Sequence, residues 1–248
     1  MRIVVLGHMP DPEGIFLEPF GKMLSKEVDM TDVEIAATDD MPEMVQYKED
    51  ISPGAGGLDS IPLVVPGVMK KAKALEKEGA DAVVMACILG PGAYQAGQIV
   101  DIPVLDPGEV AMHTAAMLGR RFTVLAPGLS GLRGFQENIE RYGLTGKLAS
   151  ILSTDINPAS YVPKERETME VMLNLSIKAI TEDEAAVIIL GCGMMTGKGR
   201  ELKRMLDEKG YDVTVIQPVP LAVEFAKTLV KLNLKQTRLV PPDYTYRF

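Results

Sequence analysis

The sequence has no tryptophan, two histidines and two cysteines, and aromatic residues make up only 5% of it. Two cysteines, Cys87 and Cys192, exclude a disulfide framework and a zinc site built of cysteine alone. Cations are also in deficit: Lys+Arg is 26 against Asp+Glu 34, a net charge of −8 over 248 residues. That balance argues against a nucleic-acid partner, which needs a basic surface. No run approaches the ~18 apolar residues of a membrane span. The first residues, Met1 to Gly7, read as a strand without the cleavage site of a secretory signal, so the expected location is the cytoplasm.

What the chain does contain is short apolar runs alternating with helical patterns. Strands are expected at 2–7, 33–37, 81–86, 102–105, 121–126, 148–152, 185–190 and 211–216. Runs such as Ala82-Val83-Val84-Met85-Ala86 and Ala186-Val187-Ile188-Ile189-Leu190 suit strands buried on both faces of a parallel sheet. The intervening segments carry apolar stripes: Phe16, Phe20, Met23 and Leu24; Leu132, Phe135, Ile139 and Tyr142; Leu221, Phe225, Leu229 and Leu232. Gly143 and Gly210 stand where helix C-terminal caps belong. The class is α/β. The stretch 38–66, with Pro42, Pro53, Pro62 and Pro66 among its glycines, reads as a long irregular loop.

The chain also repeats itself. Arg2-Ile3-Val4-Val5-Leu6-Gly7 resembles Arg121-Phe122-Thr123-Val124-Leu125-Ala126, the strand before Cys87 resembles the strand before Cys192, and Ile102-Pro103-Val104-Leu105 resembles Val213-Thr214-Val215-Ile216. Each half therefore reads as a mainly parallel four-stranded sheet with its helices. The expected division has the C-terminal helix returning to the first half. Residues 1–105 plus 217–248 then form one domain carrying Cys87, and 106–216 form the other, carrying Cys192.

Each cysteine thus ends a buried strand and opens a glycine-bearing loop, Cys87-Ile88-Leu89-Gly90 and Cys192-Gly193-Met194. Ligands in open parallel sheets bind beyond those strand ends. A helix start behind each loop is expected to lower a thiol pKa into the range ~3.5–7.5. Two such thiols facing each other could remove a proton from one face of a carbon and deliver one to the other face, inverting the centre with neither cofactor nor metal. Backbone N–H groups of the same loops could hold the enolate oxygen.

These cysteine motifs, together with Gly108-Glu109-Val110-Ala111-Met112-His113 leading to Phe122-Thr123-Val124 and with Val215-Ile216-Gln217-Pro218-Val219, resemble the Asp/Glu/hydantoin racemase superfamily, most closely its hydantoin racemase branch. The resemblance implies two flavodoxin-like domains around a cleft, racemisation by Cys87 and Cys192 without a cofactor, a small-molecule substrate and a homo-oligomer. It also implies a supporting role for Glu109. Several positions depart from it. The residue before Pro91-Gly92, often Asp in the branch, is Gly90. The Asn-Thr that follows the first cysteine of aspartate and glutamate racemases is Ile88-Leu89 here. Ala126-Pro127 replaces a Thr pair, and Gln217 stands where an acidic residue is common. Loss of the Asn-Thr grip on an α-carboxylate favours a ring or bulky carbonyl substrate over an amino acid.

Substrate contacts are expected from His8, Ile88, Leu89, Gly90, Ser130, Gly193, Met194, Gln217 and Pro218. Ser130 reads equally as the N-cap of a helix 131–142, and Thr196 and Gly197 as a cap or as substrate ligands. Lys198 and Arg200 read as solvated cations. His8, Asp11 and Glu13 have the spacing of a weak metal motif, which the intervening prolines interrupt. The other readings are an aspartate/glutamate-type racemase, a maleate-isomerase-like enzyme, a two-lobed binding protein without turnover, and a redox switch closing a Cys87–Cys192 disulfide.

Overall fold

The computed structural model describes residues 1–39, 41 and 61–237. Among these residues, eight strands form two parallel sheets. The first half supplies β1 (Ile3–Gly7), α1 (Leu17–Leu24), β2 (Val33–Ala37), α2 (Ile61–Lys77), β3 (Ala82–Met85), α3 (Ala93–Gly97) and β4 (Val104–Leu105). Next come α4 (Pro107–Leu118), β5 (Phe122–Ala126), α5 (Leu129–Arg141), β6 (Leu148–Ser153), α6 (Glu165–Glu182), β7 (Val187–Leu190), α7 (Gly199–Glu208), β8 (Thr214–Ile216) and α8 (Pro218–Lys231). The strand orders are β2-β1-β3-β4 and β6-β5-β7-β8, so the repeat in the sequence is a repeat of topology.

Alternation along the inner strands explains the layering. Ile3, Val5, Ala82 and Val84 turn to the same side as Phe122, Val124, Val187 and Ile189 of the second sheet, and all join one core. That core also holds Met112 and Ala115 of α4 and Val219, Ala222, Val223 and Ala226 of α8. The alternate residues turn outward: Val4, Leu6, Val83 and Met85 against α2 and α3, and Leu125, Ile188 and Leu190 against α6 and α7. Sheets buried this way on both faces read as continuous apolar runs. Helix α8 packs on β3 and β1, and α4 on β7, β5 and β8, with the two helices against each other.

Helix starts follow local chemistry. Asp106 caps α4 with Pro107 at its first position, and Pro218 opens α8. Gly143 and Gly210 take left-handed φ values of 72° and 84° just past α5 and α7, as expected.

Three expectations fail in detail. Part of the anticipated 38–66 loop is helical. α2 begins at Ile61; Pro62 sits in its first turn, where a missing N–H forfeits little, while Pro66 lies inside the helix. Residues 40 and 42–60 of that stretch lie outside the described residues. The apolar stripe expected for α8 is buried only in part: Leu221 and Leu229 pack against the shared core, whereas Phe225 is 44% exposed and Leu232, just past the helix, 62%. The fully buried face is formed by Val219, Ala222, Val223 and Ala226, where α8 packs against both α4 and the sheet. Finally, α5 starts at Leu129 with Gly128 as its N-cap, so Ser130 lies inside the first turn rather than capping it.

Candidate active site

Parallel register carries both cysteines to the same end of their sheets. Leu6 pairs with Met85, so His8 and Cys87 stand two positions beyond the last paired residues. In the second half Leu125 pairs with Leu190, which sets Pro127 and Cys192 in the equivalent places. The two loops touch: a Cβ added to Gly193 would lie 2.4 Å from the carbonyl oxygen of Ala86, so only glycine allows the halves to approach this closely.

Both thiols are free and half-buried. Each receives a hydrogen bond from the N–H two residues on, Leu89 for Cys87 and Met194 for Cys192. Burial nevertheless dominates. It pushes Cys87 up to about 11, opposed by the Leu89 N–H and helped by the charge of Asp106. It pushes Cys192 up to about 12, opposed by the Met194 N–H and helped by a thiolate at Cys87. Cys192 therefore senses a charge on Cys87. The anticipated lowering of the thiol pKa does not occur, because partial burial between the loops disfavours both thiolates and one N–H each does not offset that loss. The helix behind the first loop, α3, has only five residues, and Cys192 precedes a single 3-10 turn, Gly193–Met195.

The other expected contacts fall around these loops. Ile88 is 1% exposed and packs in the shared core. The Leu89 carbonyl accepts from Asn138 Nδ2 of α5 at 3.2 Å. Gly90 turns with φ 57° and donates to the Cys87 carbonyl at 3.0 Å. Met194 packs against both the shared core and the core beneath α6 and α7. Gln217 has both ends of its amide engaged: Oε1 accepts from the Gly197 N–H at 2.6 Å and Nε2 donates to Glu27 at 2.9 Å. Pro218 is buried. His8 is half-buried, and the side chain of Ser130 is outside the described residues. Asp11 accepts the N–H groups of Ile15, Phe16 and Leu17 and so serves the start of α1. Among the described residues no three His, Cys, Asp or Glu side chains gather as a metal site would require. Lys198 is 4% exposed and paired with Glu165 at 3.0 Å, so it is not the solvated cation expected. Arg200 is exposed and paired with Glu27.

Four residues in the site escaped the sequence reading. Asp106 is 5% exposed, and burial raises it to about 6 against hydrogen bonds from Tyr142, Gly108 and Glu109. Tyr142, just past α5, donates its hydroxyl to Asp106 at 2.5 Å and is itself raised by burial and then by that carboxylate. Glu27 ties Gln217 to Arg200. Tyr161, buried and hydrogen-bonded to Thr154 at 2.8 Å, is raised by burial and lies close enough to Cys192 to feel a thiolate there. The Asp106-Pro107-Gly108-Glu109 cap was visible in the sequence, but its partners were not.

The model of the family described as Asp/Glu/Hydantoin racemase matches residues 27–226. The chain belongs to the Asp/Glu/hydantoin racemase family. It is accordingly an enzyme of the racemase type. A hydantoin racemase of Pseudomonas sp. (strain NS671) is 32% identical over 183 residues, covering 73% of this chain and 71% of that protein. The fold is that of the allantoin racemase from Pseudomonas fluorescens, at a TM-score of 0.81 with 23% identity and full coverage of both chains. The allantoin racemase from Klebsiella pneumoniae superposes with a TM-score of 0.78 and 24% identity, over 96% of this chain and 90% of the other.

Proposed function

We propose that this racemase inverts the ring C–H of hydantoin-type cyclic ureides, allantoin among them, by proton transfer between Cys87 and Cys192. The observation that carries the reading is the contact between the two cysteine loops, with Gly193 pressed on the Ala86 carbonyl and each thiol addressed by the N–H two residues on. One cysteine acts as thiolate and takes the proton from the carbon between carbonyl and nitrogen. The other, still a thiol, gives its proton to the opposite face. The pair is left with exchanged protonation and resets through solvent. No electrons change hands, and the enolate oxygen is held by hydrogen bonds while the charge exists.

Burial of Ile88 and the apolar Leu89 leave no hydroxyl or amide side chain directly after Cys87 to bind an α-carboxylate. A ring whose carbonyls bind backbone N–H groups fits better than a free amino acid. His8, Gly90, Gly193, Met194, Gln217 and Pro218 border the loops, and with Ser130 they are the proposed substrate contacts. The division at 105/106 and 216/217 is part of the same proposal, supported by the packing of α8 on the first sheet and of α4 on the second. Free thiols suit a reducing cytoplasm. The exposed Met117 and Phe225, which border the same cavity, suit a face covered by a second copy, which light scattering of the parent and of Phe225→Glu would check.

The test uses single enantiomers of 5-substituted hydantoins and allantoin in heavy water. Loss of optical rotation with deuterium entering one carbon is expected, and Cys87→Ser or Cys192→Ser should abolish it. Full racemisation in either variant would refute the two-thiol reading. Turnover of aspartate or glutamate with no action on any cyclic ureide would replace the substrate class.

A further inference from the structure

The two cysteine loops are braced alike, but by groups of different charge. Behind Cys192 stands Gln217 at the N-cap of α8, bonded to the Gly197 N–H of the second half and to Glu27, just past α1 of the first half. Behind Cys87 the corresponding N-cap, that of α4, is Asp106. Asp106 Oδ1 accepts from the Gly108 N–H at 2.8 Å and the Glu109 N–H at 3.4 Å. Its Oδ2 accepts from the Tyr142 hydroxyl at 2.5 Å, at the end of α5, and Arg141 follows at 3.9 Å. Glu27 and Tyr142 thus hold matching places, each at the end of the first helix of its half. A Cβ on Gly90 would fall 2.1 Å from the Asp106 carboxyl carbon, so the carboxylate occupies the space where a side chain at Gly90 would sit.

We propose that Asp106 is a positioning residue for Cys87: its carboxylate, clamped by Tyr142, fills the space under the Cys87–Gly90 turn and sets both the place of the first thiol and its readiness to give up a proton. The proposal rests on the two-thiol reading only for its importance to catalysis. The titratable and charged groups facing the carboxylate are Cys87 after β3, Arg141 at the end of α5 with Tyr142 just past it, and Glu109 on α4. A carboxylate near a thiol disfavours the thiolate, and the effect vanishes when the carboxyl is protonated or replaced. The second loop has a neutral amide in the same place, so the two halves offer their thiols different electrostatic surroundings.

The experiment alkylates Cys87 with iodoacetamide across pH in a Cys192→Ser background and reads the site by mass spectrometry. It reports the thiol whether or not any substrate is racemised, so it stands apart from the functional test. Asp106→Asn keeps an N-cap side chain and should move the alkylation midpoint down by about half a pH unit or more. Asp106→Gly should do the same. The double variant Gly90→Asp/Asp106→Gly returns a carboxylate to the same space from the other side, since Asp is among the few residues that accept the left-handed φ found at Gly90. It should restore the parent midpoint and, in a background with both cysteines, recover rate lost in Asp106→Gly. A midpoint unmoved in Asp106→Asn, or a double variant that behaves like Asp106→Gly, overturns the proposal.

Discussion

Replacing Asp106 by Asn tests a consequence for stability as well as for the thiol. Burial raises this carboxyl from an ordinary 3.8 to about 6 in the folded chain. A group raised on folding contributes its full stability below its unfolded pKa and loses it as pH climbs through the folded value. Here the loss falls between about pH 4 and pH 6. A difference of about two units corresponds to about 3 kcal/mol at neutral pH, and the 5% exposure of Asp106 leaves little solvent screening to reduce it. Part of that loss is already present at acid pH, so the change between pH 4.5 and pH 7.5 is about 2 kcal/mol. Asn keeps the cap and has no charge to bury. The stability of Asp106→Asn relative to the parent should therefore rise by about 2 kcal/mol from pH 4.5 to pH 7.5, read by urea denaturation at both pH values. Comparing the two proteins at each pH cancels the titration of every other group that does not touch Asp106. A relative stability that is flat with pH, or that falls, would show that the folded pKa is not raised, and the electrostatic part of the Asp106 argument would go with it.

Gly193→Ala places a methyl 2.4 Å from a backbone carbonyl that cannot swing aside, so a loss of about 1–3 kcal/mol in urea unfolding and at least a tenfold fall in racemisation are expected; parent-like behaviour would mean the loops are not in contact. Because Cys87 and Cys192 are pushed up to about 11 and about 12, the thiolate fraction grows with pH. The turnover rate should climb by up to tenfold per unit between about pH 7 and pH 9, and a plateau there would contradict the raised values. Gln217→Ala removes the acceptor for the Gly197 N–H and one partner of the buried Glu27. It should cost about 1–3 kcal/mol in the same denaturation assay, and an unchanged midpoint would show that water replaces both bonds.

How far the sequence carried the reading depended on the range of the interaction. Every strand follows from runs of neighbours, and the equivalence of Cys87 and Cys192 follows from comparing two such runs; both are properties of local sequence, and the sheet orders repeat accordingly. The inward face of α8 is different. Its sequence Pro-Val-Pro-Leu-Ala-Val-Glu-Phe-Ala is apolar around most of the helix, so periodicity offers two stripes, and packing against α4 and the sheet decides which is fully buried. The direction of the thiol shifts was illegible for a related reason. A glycine loop before a helix predicts a thiolate only where water still reaches the sulfur. Here two loops from distant parts of the chain close on each other at Gly193 and Ala86 and leave both thiols only partly open to water. Asp106 shows both limits in one residue. As a helix cap before Pro107 it could be read directly, whereas its grip by Tyr142, 36 positions on, exists only once the chain has folded. The chemistry of the site lies in that second kind of contact. The cysteines mark where the reaction can occur, and the groups that distinguish one thiol from the other come from across the interface between the halves.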